Sequence, residues 1–195
     1  MRVKICGITN YEDAKVAIDA GADALGFVFY EHSKRFIHPR DAKEIIKKLP
    51  PFVEKVALFV NADAQTINSY TQEALCTLAQ IHFEADAKVY EQIFLPHLKV
   101  VRAKNRADLD LFRSEYRLVD SFSEAYGGSG VGLDLDLFSG VNTSKIILAG
   151  GLDPQNVLEV KKLGFYGVDV SSGVEMSAGK KDAKKVREFI ANAKS

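Results

Sequence analysis

Cysteine is scarce in this 195-residue chain: there are two, Cys6 and Cys76, far apart and in no metal-ligand spacing. The first residues, MRVKICGITN, include basic side chains but no apolar run or small-residue cleavage site. These features predict reduced thiols in a cytoplasmic setting, with no disulfide framework. No stretch approaches the ~18 uninterrupted apolar residues of a membrane span. Neither sign of charge is in excess, 26 Lys+Arg facing 26 Asp+Glu. That balance excludes the electrostatic footprint expected of a nucleic-acid or anionic-lipid partner. Also missing is a G-x-G-x-x-G turn, because Lys4–Thr9 holds one glycine. What remains is ordinary globular material, 47% hydrophobic and 27% charged, and a chain of this size buries roughly 70% of its unfolded surface. One domain over residues 1–195 is expected.

Short apolar runs alternate with helical periods along the whole chain. The first strand is read at Arg2–Cys6, followed by a helix over Tyr11–Ala20 capped by Thr9 or Asn10. A strand at Leu25–Phe29, a helix from about Asp41 to Leu49 stopped by Pro50-Pro51, and a strand at Val56–Val60 come next. Asp63 caps a helix through about Glu73, Cys76–His82 forms a strand, Asp86–Leu95 a helix and Leu98–Ala103 a strand. A short helix at about Arg106–Ser114 leads to a strand ending in Leu118-Val119-Asp120, a glycine-rich loop over Tyr126–Gly132 and a helical turn near Asp134–Phe138. The last units are strand Lys145–Ala149, helix Pro154–Leu163, strand Tyr166–Ser171 and helix Lys181–Ala193. Lys180–Lys194 reads as a solvated face with Val186, Phe189 and Ile190 turned to the barrel. Eight strand–helix units without a mononucleotide-binding first turn predict an α/β fold, a closed (β/α)8 barrel.

In such a barrel the chemistry sits where the strands end. Gly150-Gly151 ends the seventh strand and Ser171-Ser172-Gly173 the eighth. Glycine lets a backbone approach a ligand closely, and clustered N–H groups suit a phosphate, so a phosphorylated small molecule is the expected substrate class. Cys6 ends the first strand and is a candidate base if its pKa is lowered. Asp120 ends the sixth, and a carboxylate closing a buried strand is costly unless paired or used. Cys76 is assigned to packing, and His32, His38 and His97 to no chemistry.

The chain resembles N-(5′-phosphoribosyl)anthranilate isomerases. The matching segments are Lys4–Thr9 (KICGIT), Gly21–Phe29 (GADALGFVF), Ser33-Lys34-Arg35, Leu58–Asn61 (LFVN), Gln80-Ile81-His82, Gly127–Gly130 (GGSG), Leu148–Leu152 (LAGGL) and Asp169–Glu175 (DVSSGVE), which together run the length of the chain. The resemblance implies an Amadori rearrangement of an aminoaldose to an aminoketose in tryptophan biosynthesis, without cofactor or metal. It implies Cys6 as general base, Asp120 as general acid and Arg35 as a contact for the anthranilate carboxylate. It also implies substrate contacts at Gln80 and His82, and phosphate contacts at Gly150, Gly151, Ser171, Ser172 and Gly173. Two positions depart from the family pattern: Phe83 stands where a glycine usually follows the histidine, and no lysine follows Gly130.

The alternatives are another phosphosugar isomerase or epimerase on the same scaffold, and a barrel that binds a phosphorylated ligand without turning it over. Two further expectations concern the interior. Alternation places Lys4 beside Cys6 and Asp169 beside Ser171, which predicts a Lys4–Asp169 ion pair one layer below the site. The ordinary pKa values of a thiol and a carboxyl leave base and acid in the wrong states at neutral pH, so the site is expected to lower Cys6 and raise Asp120. Oligomeric state is not legible in the residues, with a monomer the favoured reading.

Overall fold

The computed structural model describes residues 1–121 and 135–195. Eight parallel strands close into a barrel in chain order: β1 (Arg2–Cys6), β2 (Ala24–Val28), β3 (Glu54–Phe59), β4 (Leu78–Ile81), β5 (His97–Ala103), β6 (Arg117–Ser121), β7 (Ile146–Ala149) and β8 (Gly167–Val170). The helices are α1 (Tyr11–Asp19), α2 (Pro39–Ile46), α3 (Ala64–Ala74), α4 (Ala87–Glu91), α5 (Val157–Lys161) and α6 (Ala183–Lys194). A small antiparallel hairpin, β9 (Glu175–Ser177) and β10 (Lys180–Lys181), lies between β8 and α6.

Alternation along each strand divides the core in two. Outward side chains such as Val3, Ile5, Leu25, Phe27, Phe59, Ile81, Val119 and Leu148 pack in one cluster with the helix residues Ala14, Ala17, Ile67, Val186, Phe189 and Ile190. Inward side chains form two small apolar groups, Cys6 with Val28, Leu58 and Val60, and Leu98 with Val100, Leu118 and Ala149. Lys4, Gln80 and Asp169 are buried as well. The expected ion pair is present. Lys4 stands opposite Asp169 in the β1–β8 register, with Nζ 2.9 Å from Oδ2 and side-chain exposures of 6% and 7%.

Several boundaries differ from the sequence reading, each for a local reason. The second helix starts at Pro39, whose fixed φ suits a first turn, with His38 Nδ1 accepting from the Arg40 N–H. The fourth helix stops at Glu91, and the fifth shrinks to a 3₁₀ turn, Arg106–Asp110, after which Leu111 is extended and Phe112 adopts a φ of 54°. Helix α5 starts at Val157 because the Asp153 carboxylate first holds the Gln155 and Asn156 N–H groups in a turn. The last helix begins at Ala183, capped by Asp182; Lys181 belongs to β10 and is 3% exposed, so it is no part of a solvated face. The glycine-rich loop and the start of the turn at Asp134 lie outside the described residues; Leu135–Phe138 is a 3₁₀ turn.

Candidate active site

A cavity of about 320 Å³ opens where the carboxyl ends of the barrel strands meet. Cys6, Arg35, Gln80, His82, Asp120, Gly150, Gly151, Ser171 and Ser172 line it, so nine of the ten residues expected from the sequence converge on one space. Gly173 is the exception. A Cβ there would lie 1.8 Å from the Leu152 carbonyl oxygen, so this glycine lets the β7 and β8 loops touch backbone to backbone and does not line the cavity.

Cys6 is buried at the end of β1, and Gly7 follows with a φ of 77°. A Cβ at Gly7 would meet Arg35 Cδ at 2.7 Å, so this glycine admits the arginine stem as well as the turn. Burial pushes the Cys6 thiol up from its ordinary value. The charge of Lys4 pulls the other way, Asp169 pushes up again, Lys181 pulls down, and the net shift is upward. The expected lowering of this thiol is therefore corrected: desolvation outweighs the nearby cations. Cys76, packed against the outer core, is pushed up to about 12, also by burial.

Asp120 is the penultimate residue of β6, and two strands separate that strand from β1 around the ring. His82 Nε2 stands 3.1 Å from Asp120 Oδ2, yet off the line of a hydrogen bond, so that nitrogen has no hydrogen-bond partner among the described residues. Gln80, fully buried one pleat below, places its amide Nε2 3.2 Å from His82 Nδ1. Gln80, His82 and Asp120 thus follow one another along one wall of the cavity. Phe83, at the variant position, packs against the outer core.

The two small-residue loops are shaped by their neighbours. Gly150 and Gly151 have φ values of 90° and 63°, which side chains rarely adopt. The Asn156 amide donates to the Gly151 carbonyl, and its Oδ1 accepts from the Asp153 N–H. Ser172 opens a 3₁₀ turn, Ser172–Val174, and the first N–H groups of such a turn have no partner within it. Ser171 Oγ donates to the Cys6 carbonyl, tying β8 to β1.

Arg35 is no solvated charge. Its Nε and Nη2 donate to both carboxylate oxygens of Glu175, at 2.8 and 2.7 Å. The Lys181 ammonium reaches Glu175 Oε1 at 3.0 Å and the Ser171 carbonyl at 3.3 Å. The side-chain bonds from Glu175 raise Arg35; burial pushes Glu175 up, but Arg35 and Lys181 outweigh it and hold that carboxyl low. Reading residues one at a time missed Glu175 and Lys181, because their partners lie 140 and 6 positions away and only the hairpin brings them together. It also missed the apolar wall of Val28, Tyr30, Leu58 and Val60, and the rim residue His32. Alternation beyond the ends of β2 and β3 was the available signal.

A (β/α)8 barrel with a thiol and a carboxylate on separate strands of one cavity, and glycine loops after its last two strands, defines an acid–base enzyme of the kind that handles small phosphorylated substrates. Comparison with known proteins narrows this class. The family model described as N-(5'phosphoribosyl)anthranilate (PRA) isomerase matches residues 3–192. An N-(5'-phosphoribosyl)anthranilate isomerase of Sulfurovum sp. (strain NBC37-1) is 59% identical over 195 residues, covering 100% of both chains. The crystal structure of phosphoribosyl anthranilate isomerase from Thermotoga maritima superposes with a TM-score of 0.93 at 40% identity, covering 100% of this chain and 98% of that one. A phosphoribosyl anthranilate isomerase in complex with reduced 1-(o-carboxyphenylamino)-1-deoxyribulose 5-phosphate gives 0.88 at 38% identity, with 100% and 98% covered. The chain belongs to the N-(5'-phosphoribosyl)anthranilate isomerase family.

Proposed function

We propose that this chain converts N-(5'-phosphoribosyl)anthranilate to 1-(o-carboxyphenylamino)-1-deoxyribulose 5-phosphate in tryptophan biosynthesis, with Asp120 as general acid and Cys6 as general base. The observation that carries this reading is the placement of both groups on one cavity, two strands apart, between an apolar wall and two glycine loops. Asp120 donates a proton to the ribose ring oxygen; the C1–O bond breaks and the nitrogen lone pair forms the iminium. That cation acidifies the proton on C2, which the Cys6 thiolate removes while the C–H electron pair forms the C1–C2 double bond and neutralises nitrogen. Moving a proton from the C2 hydroxyl to C1 completes the aminoketose. Each positioned proton transfer is worth roughly 10²–10⁴-fold.

The remaining contacts follow from charge and shape. Arg35 carries the donors for the anthranilate carboxylate, Val28, Leu58 and Val60 the apolar surface for its ring, and Gln80 and His82 the polar flank beside the sugar. Backbone amides of Gly150, Gly151 and Ser172 take the phosphate, with Ser171 at its edge and Gly173 holding the two loops in register. Both thiols are free, which suits a cytoplasmic location, since oxidation of Cys6 would consume the base. The test is loss of the substrate's anthranilate-type fluorescence signal on adding the purified protein. Turnover that survives both Cys6→Ala and Asp120→Asn would overturn the assignment of acid and base.

A further inference from the structure

We infer that Lys4 is the positioning residue of the base: its ammonium is the fixed counter-ion of the Cys6 thiolate, and Gly26 on the adjacent strand is the opening that lets the two groups meet. The inference rests on the reading of Cys6 as the base and adds the group that makes it one.

Lys4 and Cys6 are two residues apart on β1, so both side chains point into the barrel. One ammonium donor is taken by Asp169 Oδ2 at 2.9 Å, while Asp169 Oδ1 has no hydrogen-bond partner among the described residues. Lys4 Nζ and Cys6 Sγ both close on the space beside Gly26. Neutralising Asp169 alone would require no cleared space beside the ammonium. The clearance is specific. Gly26 is the register partner of Cys6, and a Cβ built there would lie 2.8 Å from Cys6 Sγ and 3.0 Å from both Cε and Nζ of Lys4. Gly26 is absent from the positive-φ glycines, so its backbone would accept a side chain; it is the space that would not.

The charged groups facing the thiol are Lys4 on its own strand, Asp169 on β8, Lys181 on β10 and Arg35 in the loop after β2. Asp120 and His82 line the same cavity from β6 and the end of β4. Burial opposes ionisation, and among these groups Lys4 counters it most, with Asp169 working against it. The proton balance is simple: the thiolate takes the C2 proton and becomes the thiol, the bonding pair neutralises the iminium, and Lys4 keeps its own protons throughout. An ammonium suits this role because it stabilises the thiolate without giving up its charge.

The test titrates Cys6 in a Cys76→Ser background by following the pH dependence of its alkylation by iodoacetamide. Thermal melts and kcat/KM profiles run beside it. Asp169→Asn removes an anion and leaves Lys4 charged, so the thiol is expected to titrate at lower pH than in the parent. Lys4→Met/Asp169→Asn removes the cation as well, and the thiol is expected to titrate about 1–3 units higher. At neutral pH that double variant is expected to lose kcat by about tenfold per unit, with KM little changed and activity recovering toward alkaline pH. Gly26→Ala retains every ionisable group and is expected to shift the titration upward by parting sulfur from ammonium. It keeps the test decisive if the double variant does not fold. Folded variants that titrate with the parent, or Lys4 and Asp169 variants that shift in the same direction, would overturn the inference. So would lowered melting temperatures with an unchanged profile. The base assignment fails separately: if the shifts occur but Cys6→Ala keeps its kcat, the Lys4–Cys6 coupling stands and the thiol is not the base.

Discussion

A thiol pushed upward by burial is a strong base that is seldom ionised, and this governs the Cys6 predictions. The kcat/KM of the protein is expected to climb from neutral into alkaline pH as the thiolate forms. A profile already flat below about pH 7 would show a thiol lowered in the functional state. Cys6→Ala and Asp120→Asn are each expected to lose kcat by about 10²–10⁴-fold while keeping the fold, measured in steady state beside circular dichroism. Cys6→Ser should be nearly as poor, since a hydroxyl ionises far less readily than a thiol. The glycines divide by function. Gly151 has a φ of 63° and lines the cavity, so Gly151→Val should raise KM strongly; an unchanged KM in a folded variant would remove this loop from the phosphate site. Gly173→Ala would force a methyl to 1.8 Å from the Leu152 carbonyl oxygen and is expected to cost more than about 3 kcal/mol in a urea melt.

The β9–β10 hairpin is a strap tied to the loop after β1, to α1 and to Arg35. Thr9 Oγ1 donates to the Gly179 carbonyl, the Lys181 N–H donates to Asp13, and Glu175 on β9 grips Arg35 and Lys181. Glu175→Gln would leave Lys181 buried without a counter-ion and Arg35 without its bidentate partner. Charge-assisted hydrogen bonds of this kind are worth about 1.5–3 kcal/mol, so KM is expected to rise about 10–100-fold, with a smaller effect on kcat. A folded variant with normal KM would show that Arg35 does not need the strap. The same carboxylate carries a pH dependence. Its folded pKa lies below the ordinary 4.5, so the unfolded chain binds its proton first as pH falls. The stability it contributes is therefore complete above about pH 4.5 and is lost as pH drops through the lower folded value. Urea midpoints at about pH 7 and pH 3.5 should converge more in Glu175→Gln than in the parent.

At the scale of the molecule, closure of the barrel brings the first and last strands together and with them Lys4 and Asp169, 165 residues apart. Lys4→Met alone is expected to destabilise by roughly 3–5 kcal/mol because it strands a buried carboxylate, and adding Asp169→Asn should recover part of that loss. Equal stability of the single and double variants in denaturant melts would mean that the pair is not coupled. Stability and chemistry draw here on the same ammonium, so their separation requires the thiol titration as well as the melt.

The barrel was legible because it repeats one rule eight times: an apolar run of strand length followed by a helical period, with chirality and sheet closure leaving few topologies. The line of candidates at the strand ends was legible for the same reason, since topology alone puts Cys6, Asp120, Gly150 and Ser171 on one rim. Even the Lys4–Asp169 pair followed from alternation and the neighbourhood of β1 and β8. Local energetics were less readable: after α4 the Asn68 amide holds the Gln92 carbonyl and the Phe94 N–H, and after the 3₁₀ turn at Arg106–Asp110 the chain turns extended at Leu111, neither of which periodicity reports. Least readable was the electrostatic state of the site. The direction of the Cys6 shift depends on how deeply the sulfur is buried against how closely Lys4 and Lys181 approach it. Glu175 gains its meaning only when the hairpin folds back onto Arg35. Both are sums over groups distant in the chain, each contribution falling off over a few ångströms, so residue order could name the participants but not their balance.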